Sequence, residues 1–85
     1  MTVALYVLDV PEFEPVVELA EVSGMTSNRR GDYLELSTSA PEVVLRRDGT
    51  GIGTAVWHAA VTGGLDGRIV SFTAETIHLA EETAS

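Results

Sequence analysis

Two groups of side chains in this sequence are equipped for chemistry. The first is a set of arginines, Arg29 and Arg30 in one stretch and Arg46 and Arg47 in another, the second pair leading directly into Asp48-Gly49-Thr50-Gly51-Ile52-Gly53. Guanidinium groups bind carboxylates and phosphates through paired hydrogen bonds, and a glycine loop opening a helix presents backbone N–H groups to an anion. Brought to one end of a sheet, the four arginines with Gly49, Gly51 and Gly53 would make a site for a small anionic ligand. The competing reading is ordinary surface ion pairing with Glu18, Glu21 and Asp32, the commoner use of such charges.

The second group surrounds His58. Trp57 and His58 are neighbours, hence about 100° apart on a helix, so only one of them can point fully into a core. Trp57 is expected to pack and His58 to sit at the boundary. As a catalytic alternative, His58 would enter a cavity between helix and sheet shared with Trp57, also a candidate site residue, where Tyr6, Tyr33 or Glu35 could orient it as a general acid or base. Neither His58 nor His78 sits in a recognisable metal motif, and the chain has no cysteine. No thiolate chemistry, metal or cofactor is therefore expected. Arg30-Gly31-Asp32 reads as turn residues rather than an adhesion motif, and no serine lies on a Gly-x-Ser-x-Gly elbow.

The elements that must position these groups follow from hydrophobic periodicity. Val3 to Leu8 is a continuous apolar run suited to a central strand, and Phe13, Val16, Val17 and Ala20 recur at helical spacing between Pro11 and Val22. Pro15 is tolerated only in a first turn, which places the regular helix from about Glu14. The segment from Met25 to Arg30 is polar and assigned to no element. Asp32 to Thr38 and Glu42 to Arg47 alternate as strands and are expected to pair as a hairpin across Ser39-Ala40-Pro41. A second helix is predicted over Ile52 to Val61 and a further strand over Arg68 to Thr73. Ala74 to Ser85 is expected to add an edge strand or a partly ordered helix, ending in an acidic tail.

That order is β-α-β-β-α-β, and the expected fold is an α+β, ferredoxin-like split βαβ sandwich with a short extra C-terminal strand. Residues 1–80 read as one domain and 81–85 as a frayed acidic tail.

Gly49-Thr50-Gly51-Ile52-Gly53-Thr54-Ala55-Val56, followed later by Gly67-Arg68-Ile69, resembles the last glycine box and following strand of sensor histidine kinase ATPase domains. The resemblance implies a loop that closes over nucleotide phosphates. It covers only the loop region of the chain. The family's asparagine-bearing helix and Asp-containing glycine box have no counterpart upstream, so nucleotide binding of that kind is not expected.

Composition narrows the function classes. Thirteen acidic residues against five basic ones give a net charge of −8, which opposes binding to nucleic acid or anionic membranes. The apolar run of Val3 to Val10 follows no Lys or Arg and is far shorter than a membrane span, and the default location is cytoplasmic. The expected function is a small non-enzymatic interaction or ligand-binding module. A homodimer is expected because so small a chain struggles to enclose its apolar surface alone, and a larger protein partner is the further candidate. The alternative is a small cofactor-independent enzyme of isomerase or monooxygenase type built around His58.

Overall fold

A computed structural model describes residues 2–82. The chain is α+β, mostly strands, with two antiparallel sheets and two α-helices. In chain order the elements are β1 (Val3–Leu8), a 3-10 turn (Pro11–Phe13), α1 (Glu14–Val22), β2 (Thr26–Arg30), β3 (Tyr33–Thr38), β4 (Glu42–Arg46), α2 (Thr54–Ala59), β5 (Leu65–Asp66), β6 (Arg68–Phe72) and β7 (Thr76–Ala80). No helix among the described residues is long and apolar enough to cross a membrane.

The first sheet has the order β2-β3-β1-β5 and the second β4-β7-β6. This differs from the single sheet of a split βαβ fold. β3 and β4 do not form the expected hairpin: β3 pairs with β1 and β2, whereas β4 pairs with β7. The physical reason lies in the Ser39–Pro41 link, which carries the chain from one sheet to the other instead of folding it back. A second crossing occurs at Gly67, between β5 and β6. Two runs of chain thus serve both sheets, as in sandwiches whose corners are made by strands that change sheet. Gly67 has φ +120°, and a Cβ there would stand 2.6 Å from the Ala80 carbonyl oxygen.

Three sequence assignments change. Thr26–Arg30 is a strand, β2, hidden from hydropathy because it is an edge strand with a polar, largely exposed composition. Residues 76–80 form the central strand of the second sheet rather than an edge, flanked by β4 and β6. The second helix is shorter than Ile52 to Val61, running only from Thr54 to Ala59. The tail expected over 81–85 is described only at its start, where the Glu81 N–H donates to the Pro41 carbonyl at 2.9 Å; residues 83–85 lie outside the described residues.

One hydrophobic cluster joins the sheets and helices. Val3, Leu5 and Val7 of β1 meet Leu36 of β3, Val43 and Leu45 of β4, Ile77 and Leu79 of β7, Val16 and Ala20 of α1, and Trp57 of α2. Trp57 is the largest fully buried side chain, and its Nε1–H donates to the Thr73 carbonyl at 2.8 Å. No described polar or charged residue is buried, as befits a core this small, where an unpaired polar group would be costly.

Candidate functional site

The groups picked out by chemistry are distributed over several faces. Tyr6 and Glu35 are cross-strand partners on β1 and β3, opposite the face that carries Leu5 and Leu36. The Tyr6 hydroxyl donates to Glu35 Oε2 at 2.9 Å, and Arg30 of β2 donates to Glu35 Oε1 at 3.4 Å. A Tyr–Glu–Arg row therefore crosses three strands on the outer face of the first sheet. Tyr33 shares that face and is exposed.

The hydrogen bond to Glu35 raises the Tyr6 hydroxyl above its ordinary pKa of 10.0. Burial and the charges of Glu35 and Asp66 act the same way, while Arg30 opposes them. A raised pKa in the folded state means that folding favours the protonated phenol, so the contribution to stability is complete below pH 10 and is lost as pH rises through the folded-state value. Tyr6→Phe is expected to cost about 1 kcal/mol at pH 8, the net worth of an ordinary hydrogen bond. The deficit should shrink at pH 11. Urea titrations of both proteins at the two pH values measure it, and a deficit that grows with pH would contradict the assignment.

His58 is exposed; its Nδ1 lies 2.7 Å from the Thr54 carbonyl of its own helix and its ring stands 5.3 Å from that of Phe72. Tyr6 and Tyr33 line a cleft of about 310 Å³ with Leu8, Phe13, Ala59 and Thr62, and His58 is not among its lining residues. Trp57 belongs to the core. The structure therefore brings Tyr6, Tyr33 and Glu35 together without the histidine that was to use them.

Three of the four arginines are held by separate partners. Arg29 lies 3.5 Å from Asp9, and Arg30 pairs with Glu35. Arg47 donates to the carbonyls of Ala74 (2.5 Å) and Ile52 (2.9 Å), and Thr50 Oγ1 donates to the Arg47 carbonyl at 2.5 Å. These bonds clamp the loop of Gly49, Gly51 and Gly53 onto the β6–β7 turn. Arg46 is exposed at the end of β4, opposite Thr76. The hairpin that was to join the two arginine pairs is absent, because their strands lie in different sheets.

Two features escaped sequence reasoning. His78 Nε2 stands 3.1 Å from Glu42 Oε1 across the β4–β7 pair, which only the strand pairing reveals. The other is a groove of about 460 Å³ between α1 and the ends of β1 and β3, whose carboxylates are legible as the Glu14, Glu18, Glu21 spacing of one helix face. Among the described residues no group of three or more His, Cys, Asp or Glu could hold a metal ion.

No protein-family model matches this chain, and no curated protein matches it.

Proposed function

We propose that this protein is a non-enzymatic interaction module that works as a homodimer, joined through the edge of its second sheet. The observation that carries the reading is β6. It is an edge strand with no partner on its outer side among the described residues, and Ile69 and Val70 are each 44% exposed on it. An edge strand offers a row of unpaired N–H and C=O groups, and natural proteins usually blunt such edges with charge or proline. β6 has only Arg68 and one irregularity, between Ile69 and Ser71. Two copies related by a twofold axis would pair β6 with β6 and cover both apolar side chains.

The catalytic alternative draws no support from His58, which is exposed and apart from the tyrosine-lined cleft. The anion reading fares no better, since Arg29, Arg30 and Arg47 already have partners.

Sedimentation velocity tests the proposal. The expected result is a dimer at micromolar concentration that Ile69→Lys with Val70→Lys converts to a monomer. Because both positions are exposed, the folded monomer should survive with its far-ultraviolet circular dichroism intact. A wild-type monomer at hundreds of micromolar, or a dimer untouched by the double substitution, would sink the reading.

A further inference from the structure

The groove beside α1 has a chemistry of its own. Its apolar floor is made by Val10, Pro11, Val17 and Leu34, and its rim by Asp9, Glu14, Glu18 and Glu21. The three glutamates repeat at spacings of four and three residues, so they form one stripe along the helix. The stripe runs about 10 Å at the helical rise, the length of roughly three residues of extended peptide. Glu14 and Glu18 make no ion pair among the described residues, and the Glu21 carboxylate accepts there only from the Ser27 hydroxyl at 3.1 Å. The chain itself supplies an example of what such a rim holds: the guanidinium of Arg29, whose side chain is 73% exposed, reaches Asp9 at 3.5 Å.

We infer that this groove docks a short segment of a partner protein in which apolar residues alternate with arginine. The apolar side chains would seat on Val10, Pro11, Val17 and Leu34, while the guanidinium groups would meet the glutamate stripe through charge-assisted hydrogen bonds. Charge complementarity selects the occupant. A chain of net charge −8 repels acidic segments and draws cationic ones toward a concave, acid-lined surface. An apolar floor then separates an amphipathic segment from a merely basic one. The inference rests on the interaction-module reading, since it gives that module a partner, but it does not require the dimer.

The test uses the amidated peptide acetyl-Leu-Arg-Leu-Arg-Gly, titrated into the ¹⁵N-labelled protein at low salt. Saturable shifts are expected at the amides of Val10, Glu14, Val17 and Leu34. Binding should weaken at least tenfold when Glu14→Gln, Glu18→Gln and Glu21→Gln are combined, when the peptide arginines become glutamate, and when its leucines become glycine. The two peptide changes leave the protein untouched, so the inference stays testable even if the triple variant folds poorly. Equal binding of the glutamate peptide, shifts centred on β6, or no saturation at millimolar peptide would overturn it. Concentration-dependent shifts at the groove without peptide would also overturn it, by making a second copy the occupant. Sedimentation of the same wild-type sample reports the dimer separately, so either conclusion can fail alone.

Discussion

Trp57→Ala should lower stability by about 3–5 kcal/mol, the usual cost of deleting a large aromatic side chain from a packed core. The indole is fully buried between α2 and the strands, and its Nε1–H donates to the Thr73 carbonyl. Alanine leaves a cavity and removes that donor together. Small domains hold only about 5–15 kcal/mol in all, so the substitution should remove a large fraction of the stability. Trp57→Phe separates the two losses: it keeps most of the apolar volume and should cost about 0.5–1.5 kcal/mol for the lost hydrogen bond, since Thr73 lies on the surface. Urea titration followed by far-ultraviolet circular dichroism measures both, since the chain's one tryptophan is lost as a fluorescent probe. A cost for alanine no larger than that for phenylalanine would show that packing matters less there than burial implies.

Gly67→Ala is the second large effect. A side chain at φ +120° is strained by about 1–3 kcal/mol wherever it occurs. Here its Cβ would also lie 2.6 Å from the Ala80 carbonyl oxygen, which is backbone and can yield only if β6 and β7 move apart. The expected loss is therefore above about 3 kcal/mol, in the range reserved for severe backbone effects. Gly49→Ala is the control, having φ +76° with nothing within 4 Å of the added atom. It should show the strain alone. Thermal unfolding of the two variants side by side checks the difference, and equal melting temperatures would mean that the crossing tolerates the extra atom.

Much of the secondary structure was legible because burial writes a period into sequence. Val3 to Leu8 and the alternation of Val43 and Leu45 mark strands, and the start of α1 at Glu14 follows from Pro15 lying in its first turn. Thr26–Arg30 left no such mark: an edge strand with its side chains largely in water owes its existence to hydrogen bonds with β3, which composition does not encode. Strand partnership was hidden for a related reason. A three-residue link such as Ser39-Ala40-Pro41 serves a hairpin or a crossing equally well, and the choice depends on β7, more than thirty residues away along the chain. The placement of the arginines followed from that choice, so their separation was hidden with it. Trp57 was different. Its role needed only the local rule that one of two adjacent helical residues faces inward, and the same rule left His58 outside.

The two crossings also govern how the chain reaches its fold. Ala4 pairs with Asp66 and Glu42 with Ala80, so neither sheet can be completed from neighbouring segments. The search for these distant partners must precede most of the gain from burial, and it places the protein among slow folders for its length, on the millisecond-to-second scale of non-local β topologies. Once formed, the two sheets share two runs of chain and one hydrophobic cluster, so opening either uncovers apolar surface of the other.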